Sequence, residues 1–173
     1  PQTAWLKQFQ EQVYNENAAI ISFNWDLELD WLLFRRGLNS ASYGFSNDTS
    51  NQPILLKPHG SLNWFEEKQG KFLSDSKRTQ IFTSRRKGAV YAFLKFRAPT
   101  SKVGRTYTPL IIPPVYLKSF DKPIFKALWR KCTSVLSTAK RIVILGYSMP
   151  SADLHAQFIM RCGFHNQKEG ELG

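Results

Sequence analysis

Hydrophobic residues in this chain fall into two patterns: short unbroken runs, and stripes at helical spacing. Over residues 3–15, Trp5, Leu6, Phe9 and Val13 recur at three and four, which predicts an amphipathic helix closed by the polar residues 15–17. The pattern then changes to the run 18–23, Ala-Ala-Ile-Ile-Ser-Phe, which stops at Asn24 and reads as a strand buried on both faces. A helix is predicted from about Asp26, with Leu29, Leu32 and Leu33 on one face and Gly37 placed to end it. Residues 38–53, rich in Ser and Asn and containing Gly44, read as a loop. A second apolar strand at 54–57 then runs into Pro58, His59, Gly60 and Ser61.

Further along, residues 62–65 and 71–73 flank Gly70 as the arms of a hairpin, and residues 75–109 form a basic insertion with a strand at 90–96. The run 109–114 is read as a third strand, stopped by Pro113 and Pro114, which cannot donate ladder hydrogen bonds. Residues 121–139 carry Ile124, Phe125, Leu128, Trp129, Cys132, Val135 and Leu136 at helical spacing, the stripe of a long helix facing a core. A fourth strand is expected at 141–145, leading into Gly146, Tyr147 and Ser148, with a last helix from near Pro150. Four apolar strands separated by helices or long crossovers predict an α/β domain with a mostly parallel sheet and helices on both faces. Ligands bind such sheets at the carboxyl ends of the strands. Those ends carry Asn24 and Asp26, then His59, Gly60 and Ser61, then the two prolines, then Gly146 and Ser148.

Composition narrows the classes. At 173 residues the chain is expected to be a single domain, and its 42% hydrophobic and 14% aromatic content is too apolar for intrinsic disorder. No apolar run approaches the ~18 residues of a membrane span, so no membrane partner is expected. Cys132 and Cys162 are far apart and form no C-x-x-C pair, which excludes a four-cysteine zinc site and fits a reducing compartment. With neither a signal peptide nor a transit pattern, a cytoplasmic location is expected. His155 and His165 lack partners at metal-ligand spacing, so surface positions and no metal are expected. The 24 basic and 13 acidic residues leave a net charge of +11, which favours polyanions or anionic small molecules. The chain opens at Pro1 without an initiating Met, and it is read as a fragment of a protein that begins upstream.

The elements Ser22-Phe23-Asn24-Trp25-Asp26, Lys57-Pro58-His59-Gly60-Ser61-Leu62-Asn63-Trp64, Ile111-Ile112-Pro113-Pro114 and Gly146-Tyr147-Ser148-Met149-Pro150-x-x-Asp153 occur in this order, each after an apolar run. Together, over residues 18–158, they resemble prokaryotic sirtuin-like domains. The resemblance implies a Rossmann-like fold. It also implies catalytic roles for Asn24 and His59 beside the nicotinamide ribose of NAD, and contact of Asp26 with the nicotinamide carboxamide. Gly60, Gly146, Ser148 and Asp153 complete the cofactor-binding set it implies, with Gly146 and Ser148 beside the adenosine half. Asp153 marks the branch without deacetylase activity, in no assigned chemical role. The zinc-ribbon cysteines of the deacetylases are absent. That resembles the branch that hydrolyses NAD outright, often in anti-phage defence. The family's Gly-rich phosphate loop is absent as well and is expected upstream of Pro1, so the intact parent protein is expected to be an NAD glycohydrolase and this fragment alone inactive.

Other readings stand beside this one. Asn24 and Asp26 lie where a strand-to-helix junction would use them as caps, and Ser148 is placed to cap the last helix. A noncatalytic NAD sensor, or an assembly module for a partner protein or effector domain, has the same fold. Lys77, Arg78, Arg85, Arg86, Lys87, Lys95, Arg97, Lys102 and Arg105 are interleaved with Phe82, Tyr91, Phe93 and Phe96, a pattern that suits single-stranded nucleic acid. A solvated surface insertion is the favoured account of that segment.

Overall fold

The computed structural model describes residues 3–34, 37–46, 52–67, 78–84, 88–93, 108–112, 121–151, 153–165 and 167. The first helix, α1, spans Ala4–Asn15 and turns Val13 into the core. It ends where Asn17 takes a left-handed backbone (φ 48°), a conformation Asn tolerates better than most residues. The Ala18 N–H then closes on the Val13 carbonyl at 3.0 Å and releases the chain into β1, Ala19–Ile21.

Strand β1 pairs in parallel with β2, Ile54–Leu56, in the register Ala19↔Ile54, Ile20↔Leu55 and Ile21↔Leu56. Between them lie α2, Glu28–Phe34, and a 3-10 turn at Ala41–Tyr43. Successive residues Leu55 and Leu56 are both fully buried, as a strand covered on both faces requires.

A second sheet is separate and antiparallel. Strands β3 (Trp64–Glu67), β4 (Arg78–Ser84) and β5 (Gly88–Phe93) take the spatial order β3-β5-β4. Phe65 pairs with Tyr91 and Thr79 with Ala92, and a register shift between Gln80 and Phe82 leaves Ile81 as the extra residue of a bulge. Helices α3 (Pro123–Thr138) and α4 (Leu154–His165) pack on each other. Pro123 starts α3 at a position where a missing N–H costs nothing. One core cluster joins the elements, from Val13 on α1 through Tyr43, Leu55, Trp64, Ile81 and Val90 to Leu128, Cys132 and Ile159.

This architecture overturns the expected Rossmann-like, mostly parallel sheet with helices on both faces. Among the described residues, the parallel sheet has two strands, and the three-stranded sheet beside it is antiparallel. Of the four apolar runs, only those at 18–23 and 54–57 form it. The run 109–114 contributes a single antiparallel bridge, Gly60↔Ile111, with Pro113 and Pro114 outside the described residues. The run 141–145 is not a strand. Val143 and Leu145 are 65% and 69% exposed, and no described strand pairs with them. A short apolar run specifies burial, not pairing, so it cannot separate a central strand from an extended segment without a neighbour.

The hairpin arm expected at 71–73 lies outside the described residues, and β3 pairs with β5. Nor is the basic segment 75–109 only a solvated insertion, because Ile81, Val90, Ala92 and Phe93 are buried. There the Arg78 guanidinium lies over the Tyr91 ring, 4.5 Å from its centroid. The segment's other cations all lie outside the described residues. Among the described residues, no helix is long and apolar enough to cross a membrane.

Candidate functional site

Parallel pairing sends the chain out of β1 and β2 at the same end. The Ser22 N–H donates to the Leu56 carbonyl at 2.9 Å, so the ladder continues one bond past the last paired residues, Ile21 and Leu56. Asn24 and His59 follow these two residues at equal distance along their strands.

After β2, the Gly60 N–H bonds the Lys57 carbonyl at 2.9 Å, closing a four-residue turn around Pro58 and His59. Gly60 sits at φ 85°, and a Cβ there would lie 2.1 Å from the Leu110 carbonyl oxygen. Only glycine lets the 110–112 segment approach this closely. The Ile112 N–H donates to the His59 carbonyl at 2.8 Å and the Ser61 N–H to the Leu110 carbonyl at 3.1 Å, which pins the turn from both sides. The role of Gly60 in the structure is therefore to admit backbone.

Beneath the turn lies a buried polar network that sequence reading did not assign. The Lys57 ammonium donates to Asp30 Oδ2 at 2.9 Å, to Ser61 Oγ at 2.7 Å and to the Asp26 carbonyl. The Lys57 and Asp30 side chains are 1% and 5% exposed. Tyr43 donates to the other Asp30 oxygen and accepts from Asn63 Nδ2 at 3.3 Å, and Asn63 also donates to the Phe93 carbonyl at 3.0 Å. Burial lowers the Lys57 pKa, opposed by the Asp30 carboxylate. Lys57 thus ties the loop after β1 to the turn after β2, as does the Leu62 N–H on the Trp25 carbonyl at 3.0 Å. The available signals were a lysine closing the run Ile-Leu-Leu-Lys and an aspartate inside the apolar helix Leu-Glu-Leu-Asp-Trp-Leu-Leu-Phe. Lys and Asp are almost never fully buried unless paired.

His59 is buried, and its Nε2 lies 3.3 Å from Oδ1 of Asp153, itself buried just before α4. Asp153 Oδ1 also accepts the Ala156 N–H at 3.3 Å, so Asp153, not Ser148, caps this helix. Its Oδ2 accepts from the Tyr147 hydroxyl at 3.0 Å. The Tyr147 ring stacks on Phe23 with centroids 4.6 Å apart, and Phe23 lies 5.4 Å from the His59 ring.

Gly146 and Ser148 flank Tyr147 and are exposed, and open space surrounds the Cβ position of Gly146. Both Gly146 (φ 62°) and Met149 (φ 48°) are left-handed, which turns this loop back toward α4. Trp129 of α3 donates through Nε1 to the Pro58 carbonyl at 3.3 Å, and His155 packs on its ring at 4.9 Å between centroids. His155 is therefore partly buried rather than a surface residue, whereas His165 is exposed.

The structure thus brings His59, Asp153 and the 146–148 loop together around Phe23. Asn24, on the neighbouring loop, is exposed, and its backbone N–H is held by Ser22 Oγ at 3.3 Å. Asp26 is also exposed, and its Oδ1 accepts the Glu28 N–H at 3.1 Å, the bond of a capping residue for α2. Asp26→Ala is expected to cost about 1 kcal/mol in urea unfolding, the usual loss for a cap. Asp26→Asn should keep most of that stability, and a cost below about 0.3 kcal/mol for the alanine variant would remove the capping role. Among the described residues, no group of three or more His, Cys, Asp or Glu is arranged to hold a metal.

Two phenols report on the site's packing. Burial, and then the Asp30 carboxylate, hold the Tyr43 phenol well above its usual pKa of 10.0. Tyr147 is raised by partial burial and by Asp153. In the unfolded chain both would ionise near pH 10. The stability they contribute is therefore complete below about pH 10 and is lost as pH rises beyond it. Ultraviolet titration should show Tyr43 and Tyr147 at least staying protonated until the chain unfolds, identified by their loss in Tyr43→Phe and Tyr147→Phe. Ionisation of all six near pH 10 in a folded chain would contradict this packing.

No protein-family model, curated protein or solved structure matches this chain. The functional reading therefore rests on the site and on the ordered elements of the sequence.

Proposed function

We propose that this domain binds NAD at the edge shared by Asn24 and His59 and hydrolyses it to nicotinamide and ADP-ribose. The observation that carries the reading is the matched register of β1 and β2, which sends both residues out at one end of a parallel pair. Crosslinks from Lys57 to Asp26 and Ser61, and from Leu62 to Trp25, favour a fixed spacing between the two loops.

The chemistry suits these side chains. Cleavage of the nicotinamide–ribose bond sends its electron pair to the ring nitrogen, which leaves as neutral nicotinamide, while positive charge builds on the anomeric carbon. A water oxygen bonds to that carbon and gives its proton to the imidazole of His59. The Asn24 amide is suited to orient the water or a ribose hydroxyl. The net charge of +11 favours approach of the anionic pyrophosphate.

The direct test incubates the full-length protein that carries this chain with NAD and separates the products by chromatography. Equal release of nicotinamide and ADP-ribose is expected. Recovery of intact NAD from a folded protein, whether or not NAD binds, would end the hydrolase reading, and saturable binding without cleavage would favour a sensor.

A further inference from the structure

His59 lies on the turn after β2 and Asp153 just before α4, yet their side chains meet, 3% and 4% exposed, with Nε2 and Oδ1 3.3 Å apart. We propose that Asp153 is a positioning residue that fixes the protonation form of His59, keeping the hydrogen on Nε2 and the lone pair on Nδ1. The inference rests on the reading of His59 as the base of the proposed hydrolysis and specifies which nitrogen takes the proton. A neutral imidazole carries one N–H and one lone pair, and the partner of one nitrogen decides the arrangement. A lone pair facing a carboxylate is repelled and an N–H is attracted. With both groups buried, little water is available to offset that preference.

The carboxylate is itself held in place. Tyr147 donates to Oδ2 at 3.0 Å and the Ala156 N–H to Oδ1 at 3.3 Å. Tyr147 is braced by its stack on Phe23, which also flanks the His59 ring, so one aromatic side chain aligns both partners. When Nδ1 accepts a proton, the resulting imidazolium carries its charge beside Asp153. The proton stays on the imidazole and Asp153 stays ionised. This gives Asp153 a role in orienting and strengthening the base, with no contact to substrate required.

The experiment is a long-range nitrogen–proton correlation spectrum of the full-length, nitrogen-15-labelled protein near neutral pH, with His59 assigned by the signals lost in His59→Gln. Nε2 should resonate as the protonated nitrogen and Nδ1 as the bare one. Nδ1–H as the dominant form would overturn the proposal, whatever the activity. Asp153→Asn keeps an oxygen for the Ala156 cap and removes the charge. It should weaken the Nε2–H preference and lower kcat about 10-fold to 100-fold, with KM changing less than about 3-fold. Tyr147→Phe should shift both readouts in the same direction by less. A role limited to capping α4 would leave both the stability and the imidazole signals of Asp153→Asn close to those of the parent, because asparagine caps as aspartate does, and unmoved signals would also overturn the proposal. The two readings fail separately: Nε2–H without NAD turnover removes the hydrolase and keeps the positioning role, whereas turnover with Nδ1–H does the reverse.

Discussion

Lys57→Met is expected to lower the folding stability of this domain by about 3–5 kcal/mol, the cost of removing one partner of a buried ion pair. Met matches the stem of lysine but leaves the Asp30 carboxylate buried, with the Tyr43 hydroxyl as its remaining donor in the network. The Ser61 hydroxyl and the Asp26 carbonyl lose the same ammonium. Replacing both charges, in Lys57→Met/Asp30→Leu, should recover much of the loss, because the uncompensated charge is the costly element and an apolar pair of similar volume tolerates burial. Urea unfolding of the two single variants and the double variant gives the coupling directly. A loss below about 1 kcal/mol for Lys57→Met would match an exposed ion pair and would refute the buried latch between the two loops.

The second large effect is on chemistry. His59→Gln should reduce NAD hydrolysis by the full-length protein about 100-fold or more, the usual contribution of a positioned general base, and His59→Ala should do the same. Glutamine fills much of the space of the ring and keeps polar atoms near Asp153, so loss of fold is not the expected cause. Thermal unfolding of the glutamine variant checks that point. Asn24→Ala, at an exposed position, should leave stability within about 0.5 kcal/mol of the parent while turnover falls. Folded variants that hydrolyse NAD at the parental rate would strip both residues of a catalytic role.

The sequence was most legible where a pattern was long or doubly constrained. Helices α1 and α3 follow from stripes sustained over 12 and 16 residues, and α3 opens on a proline suited to its first turn. The runs leading to Asn24 and His59 were legible as strands because each is apolar at consecutive positions and stops abruptly. The same criterion failed at 109–114 and 141–145. An apolar run carries no information about its neighbour, and the neighbours here are a glycine turn for Ile111 and no described strand for Val143 to Leu145. Nor was the antiparallel partner of β3 legible, since Trp64–Glu67 and Gly88–Phe93 carry no local signal of their pairing.

Within the site, residue types were easier to read than their partners. His59 and Asp153 stood in separate motifs with separate expectations, and only the fold brings them within 3.3 Å. The Lys57–Asp30 pair, 27 positions apart, was missed for the same reason, although a lysine at the end of an apolar strand and an aspartate in an apolar helix both called for buried partners.

The central claim is that Asn24 and His59 face a single ligand. It is tested most directly by adding NAD to the full-length labelled protein and following the Asn24 side-chain amide and the His59 imidazole in one titration. Both signals should move together and saturate at the same NAD concentration, with nicotinamide appearing as the titration proceeds. If NAD leaves both signals in place in a folded protein, or moves one without the other, Asn24 and His59 do not share a ligand and the account is wrong.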